Sequence, residues 1–191
     1  MKPQSAFRIL AGVVVLAFLL AAGSRMAAAA EVQDSEEISQ LLSQAKTYAY
    51  QVAQDADTLE SYTRSTASWQ SHGARLAKMT DDVNTLGKIN KKLQDQQAQG
   101  SPWQQDAITH INSLLTDMAS QLSATIDNLK KNQTKIHFPE YQEYVHACYD
   151  RASRTSQIVS DYVEYGKAKS TAETLEKKLE LSSSRAGEAG E

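Results

Sequence analysis

The chain has 191 residues, 20 basic and 23 acidic side chains, and a single cysteine. That length suits one domain, and one cysteine cannot close an internal disulfide, so packing must hold the fold. The slight acidic excess argues against a nucleic-acid partner and against general binding to anionic membranes.

Residues 1–30 read as a secretory signal. Lys2 and Arg8 give a basic start, Ile9 to Ala22 form an uncharged apolar run, and GSRMAAAA ends in the small residues that signal cleavage requires. The run is shorter than the roughly 20 apolar residues of a membrane helix. Cleavage is expected at or just before Ala30. No cysteine follows that could carry a lipid, and no second apolar run appears. The mature chain is therefore expected to be periplasmic or secreted, without stable membrane insertion after signal removal. It would keep 17 basic against 23 acidic side chains.

From residue 31 the pattern is helical throughout. Glu31, Asp34, Glu36 and Glu37 precede the first apolar stripe and complement the positive end of a helix dipole. In that stripe Ile38, Ala45, Val52 and Leu59 recur every seven residues, with Leu41, Tyr48 and Tyr62 beside them. Ser65, Thr66 and Ser68 are candidate caps for the next helix. Its stripe runs Trp69, His72, Leu76, Met79, Val83, Leu86, Leu93.

GSPWQQ then marks a boundary: Gly100 as a stop, Ser101 as N-cap, Pro102 as first helical residue and Gln104 as third-position partner of a capping box. The third stripe is Ile108, Ile111, Leu115, Met118, Leu122, Ile126, Leu129. Pro139 and Glu140 open the last helix, whose stripe takes Tyr141, Val145, Cys148, Ala152, Val159 and Tyr162, then passes Gly166 toward Leu175 and Leu179. No segment alternates with period two. Three segments of about 45 Å at 1.5 Å per residue, a longer fourth and short connections predict an all-α, up-down-up-down antiparallel four-helix bundle over residues 31–181. SSSRAGEAGE, from Ser182, reads as a disordered tail.

EYVHACYD, residues 143–150, is the nearest approach to a metal motif. With Tyr141 at zero and 100° per residue, Glu143 falls near 200°, His146 near 140° and Cys148 near 340°. The first two face away from the core and the third lies within it, so the three cannot converge on one ion. Cys148 is expected to be a small buried hydrophobe. The residues three before His72 and His110 are Trp69 and Ala107, so no second Glu-x-x-His exists to complete a di-metal carboxylate site. No metal site is expected.

Other catalytic signatures are missing: C-x-x-C-H, a phosphate-cradling glycine loop, H-E-x-x-H and G-x-S-x-G. Gly73, Thr80 and Gly87 form a small-residue lane on the second helix. It is read as a flank where a neighbouring helix packs closely, with a ligand groove as the alternative. Tyr141, Tyr144, Tyr149, Tyr162 and Tyr165 are read as core-edge tyrosines that keep their hydroxyls wet, or else as lining for an aromatic or glycan ligand. Asn132 to Thr134 fits the N-glycosylation pattern.

The segments SWQSHGARL, VNTLGK, SPWQQDAITHINSLL, PEYQEYV and DYVEYGKAK resemble an uncharacterised family of exported, all-helical bacterial proteins, over about Leu41 to Leu179. The resemblance implies a bacterial envelope setting and a helical fold. It carries over no functional site.

The expectation is an exported, non-enzymatic bundle without a cofactor, acting through its surface, with another envelope protein as its partner. The alternative is a haem- or metal-binding bundle centred on His72, with Cys148, a tyrosine or Met79 of a neighbouring molecule completing the site. His72 lies mid-stripe, and the candidates for its layer are Leu59, Tyr62, Ile126, Leu129, Tyr141, Tyr144, Val145 and Cys148. A buried imidazole without a partner costs about 1 to 3 kcal/mol, so a hydrogen bond to Tyr62 or Tyr144 is expected.

Overall fold

A computed structural model describes residues 33–188, with side chains as far as residue 181. The expected signal therefore lies outside the described residues. Four long helices carry the fold: α1, Glu36–Thr63; α2, Trp69–Gln96; α3, Pro102–Lys131; α4, Pro139–Glu188. Short 3-10 turns at Gln97–Gln99 and Gln133–Lys135 join α2 to α3 and α3 to α4. Each helix packs against the next in sequence and α4 closes against α1, giving an all-α four-helix bundle.

Local chemistry sets the boundaries. Ser35 caps α1 by accepting from the Ile38 N–H, and Glu36 and Glu37 sit in the first turn. Of the three candidate caps before α2, Ser68 is the one used. Pro102 occupies the first position of α3, while Lys130 and Lys131 place positive charge at its C-terminal end.

The apolar stripes meet in one continuous core. Ile38, Val52, Leu59, Met79, Leu86, Leu93, Ile108, Ile111 and Val145 are fully buried. Each such side chain contributes about 1.5–3 kcal/mol relative to an exposed one, so packing outweighs every ion pair in the bundle. The best-placed pair is Asp55 on α1, almost buried, held by Arg75 at 2.5 Å and Lys78 at 2.6 Å from α2. Because Lys78 remains half exposed, this pairing sets the register of α1 against α2 more than it adds stability.

Three expected features differ. Trp69 is exposed rather than buried, because it stands at the first residue of α2, where the layer is not yet closed. The fourth stripe also leaves the core. Lys169 reaches Asp34 at 3.1 Å, just ahead of α1, which marks the end of the bundle along α4. Leu175 and Leu179, beyond it, are exposed. The helix continues to Glu188, so residues 182–188 are helical instead of forming the expected tail. Ser, Arg, Ala and Glu sustain a helix adequately, and no proline stops it.

No helix among the described residues is long and apolar enough to cross a membrane.

Candidate functional site

His72 is fully buried, as its place in the stripe requires, but its partner is neither Tyr62 nor Tyr144. Nδ1 lies 3.0 Å from the hydroxyl of Tyr141, itself buried. Tyr62 instead packs its ring against the imidazole, with centroids 5.5 Å apart. Tyr141 and Tyr144 lie only 60° apart around α4, so a modest rotation of that helix decides between them. Either the Tyr141 O–H or the Nδ1–H is the donor in this pair, according to the imidazole tautomer. Nε2 makes no hydrogen bond of good geometry among the described residues, although the Tyr62 carbonyl is close enough to act on the ring. Burial lowers the His72 pKa, and nearby His137 lowers it further, against a weaker upward pull from the Tyr62 carbonyl.

Glu143, His146 and Cys148 do not converge. Glu143 is exposed. His146 is also exposed, but it crosses to α1, where Nδ1 meets Glu60 at 2.7 Å. Its outward azimuth is the one expected from the sequence, while the bond to Glu60 was not foreseen. That bond raises the His146 pKa, with help from Asp150.

Cys148 is fully buried, and burial pushes its thiol up to about 11. The native thiolate population is then about 100-fold below that of an ordinary cysteine, before any steric shielding. Iodoacetamide should therefore alkylate the native protein at least ~100-fold more slowly than the urea-unfolded chain at the same pH. Comparable rates would remove Cys148 from the core.

The small-residue lane on α2 is not a site of close helix contact. A β-carbon on Gly73 would find only Leu129 Cδ2, at 3.9 Å, and one on Gly87 would meet nothing within 4 Å. Gly73, Ala77 and Thr80 instead open, with Leu76, Trp69, Ile126 and Leu129, onto a groove of about 410 Å³ between α2 and α3. Periodicity reports which residues share a face, not how near the next helix comes.

A second hollow gathers residues that the sequence left apart. Trp103 and His110 from α3 face Ile158, Asp161, Tyr162 and Tyr165 from α4 around a cleft of about 370 Å³. Two edge-to-face pairs frame it: Trp103 with Tyr165 at 5.2 Å, and His110 with Tyr162 at 6.1 Å. Tyr162 donates to Asp106 at 3.0 Å, and its hydroxyl lies 3.2 Å from His110 Nδ1. Burial and the Asp106 carboxylate raise the Tyr162 pKa, which keeps the phenol protonated.

Trp103 is fixed from two sides. Its Nε1–H donates to Asp34 at 2.7 Å. Its ring also lies across Gly166, where a β-carbon would come within 2.8 Å of Cη2. The glycine is thus the seat of the indole. Burial raises the Asp34 carboxyl, but the facing Ser101 hydroxyl, Lys169 and Trp103 outweigh it and hold the group below its ordinary value. In the sequence Trp103 stands inside a helix-start motif and Tyr162 within a core stripe, and nothing there shows that they share a cleft. The only signal was the coincidence of Tyr162, Tyr165 and Gly166 within one turn of α4.

Comparison of the chain with protein-family models, curated proteins and solved structures gives no match in any of the three.

Proposed function

We propose that this is an exported, non-enzymatic helical bundle of a bacterial envelope, an interaction, adaptor or sensor-like module that binds through the Trp103–Tyr165 cleft. The observation that carries this reading is the contrast between interior and surface. Inside, the principal polar side chains hold the bundle together: His72 bonds Tyr141, Asp55 pairs with Arg75 and Lys78, and Gln104 ties the starts of α1 and α3. Outside, an indole held by a hydrogen bond and a glycine seat is presented beside a half-exposed tyrosine. Rigid aromatic side chains of this kind lose little conformational entropy when a ligand covers them.

A photo-crosslinking residue placed at position 165 in the native host tests the reading, with position 50 on α1, equally exposed, as control. The expected result is a discrete adduct from position 165 and none from 50. No adduct, or the same adduct from both, overturns it. Terminal sequencing of the recovered protein should place its start at or within a few residues of Glu31, and an uncleaved N-terminus would refute export.

The lack of a well-formed hydrogen bond at Nε2 of His72 favours a second reading, a ligand-holding bundle. Among the described residues no three His, Cys, Asp or Glu side chains come together, so His72 would have to bind haem or a metal with little help. Colour and metal analysis of protein purified from the native host decides this. A Soret band or bound metal that His72→Ala abolishes would establish the second reading.

A further inference from the structure

We infer that the cleft between α3 and α4 takes a free small organic cation with an alkylated ammonium group. This rests on the reading of the cleft as the binding surface and names its ligand class. At about 370 Å³ the hollow lies at the small end of ligand pockets, which run roughly 300–1,000 Å³. Its lining holds the rings of Trp103, Tyr162, Tyr165 and His110, with Ile158 and Asp161. Ring faces carry the negative part of an aromatic quadrupole, and indole is the strongest of them for a cation.

Charge points the same way. Asp161 lines the cleft, and Asp106 sits at the Tyr162 hydroxyl. Tyr162 donates its proton toward that carboxylate, which enriches its ring in electron density. Neither lysine nor arginine lines the cleft. Lys169, which shares Asp34 with Trp103, is engaged by Asp34 and Glu173.

An anion would meet the Asp161 carboxylate on the lining and the Asp106 carboxylate behind the Tyr162 hydroxyl, with the His110 ring, already turned to that hydroxyl, as the basic side chain there. Most polar groups that a sugar would need there are already engaged: the Trp103 N–H by Asp34, the Tyr162 hydroxyl by Asp106 and His110, and Asp161 by Gln157. An alkylated ammonium needs no hydrogen bonds, is weakly hydrated, and fits aromatic walls rimmed by acid.

The geometry of Trp103 also argues for a prepared site. Gly166 and Asp34 hold the indole in place before any ligand arrives, which lowers the cost of binding.

The protein has two tryptophans, so Trp69→Phe leaves Trp103 as the only indole reporter. Choline should change its emission saturably. The neutral analogue 3,3-dimethylbutan-1-ol, which replaces nitrogen by carbon, should need roughly tenfold higher concentration. Tyr165→Ala and Asp161→Asn, both at exposed positions, should each weaken choline binding about fivefold or more while leaving helicity unchanged. Calorimetry on the unsubstituted chain should give the same order of affinities.

An equal response to the neutral analogue overturns the cation assignment, as does unaltered binding in both variants. Absence of any saturable choline response also overturns it. Phosphatidylcholine vesicles display the same head group on a surface, and a response to them without one to choline overturns the assignment to a free cation. A position-165 crosslink together with no choline response would overturn this inference and leave the binding reading standing.

Discussion

Replacing Gln104 with alanine is expected to cost about 3 kcal/mol, more than any substitution at the exposed cleft. The side chain is fully buried and satisfies all four of its hydrogen-bonding positions. Oε1 accepts from the backbone N–H groups of Ser35 at 2.8 Å and Ser101 at 3.1 Å. Nε2 donates to the Ser35 carbonyl at 2.9 Å and the Ser39 hydroxyl at 3.1 Å. One amide therefore joins the first turn of α1 to the first turn of α3, across 69 residues of sequence.

Alanine would orphan both backbone donors, each at about 1 to 3 kcal/mol when buried. Water reaches the half-buried Ser35, so the total should fall near the lower half of the sum. Urea denaturation reads the loss as a lower midpoint at unchanged slope. Hydrogen exchange should show the first turn of α1 opening. A loss under about 1 kcal/mol would mean that water replaces the amide at little cost.

The second large effect concerns acid. Because the folded pKa of His72 is lowered, the unfolded chain takes up a proton near pH 6.5 that the native protein refuses. Stability from this residue is complete above pH 6.5 and is lost as the pH falls, by at most about 1.4 kcal/mol per pH unit. His146 behaves in the opposite sense. Its raised pKa supplies stability that is fully present below pH 6.5 and disappears as the pH rises through the folded value.

The two histidines thus act in different windows, and the acid limb between pH 6.5 and 5 belongs to His72. His72→Gln, which cannot titrate, should flatten that limb. His72→Ala should lose about 3 kcal/mol at neutral pH through the cavity and the orphaned Tyr141 hydroxyl. A wild-type stability that does not change over this window, or a slope that survives in His72→Gln, would contradict the buried neutral imidazole.

The helices, their order and most core positions were legible because each rests on local spacing: sevens and fours of apolar residues, a Ser-Pro-x-Gln start, and Pro139. Those signals act within one helix. Apart from residues 182–188, which continue α4 where a tail was expected, the misreadings concern relations between helices. The sequence put His72 in the core, but whether Tyr141 or Tyr144 meets it depends on the azimuth of α4. It aligned Gly73, Thr80 and Gly87, but could not show that α3 stands off from them. The capping role of Gln104 was visible and its bonds to Ser35 and Ser39 were not. The cleft was invisible for the same reason. Trp103, Asp106 and His110 belong to one helix start, Tyr162 and Tyr165 to another helix, and only the docking of α3 on α4 joins them.

The length of α4 bears on how the molecule melts. From Ser170 to Glu188 the helix extends about 28 Å at 1.5 Å per residue, past the point where Lys169 meets Asp34. Leu175 and Leu179 there remain more than half exposed, so little packing supports this stretch. A helix of such length is marginal in water when propensity is its main support. Heating should therefore unwind it gradually, and ellipticity should slope downward well before the bundle gives way. Tryptophan emission reports only on Trp69 and Trp103, so it should stay level until the cooperative transition. Apparent unfolding enthalpies from the two signals will then disagree, although the bundle itself unfolds in a single step.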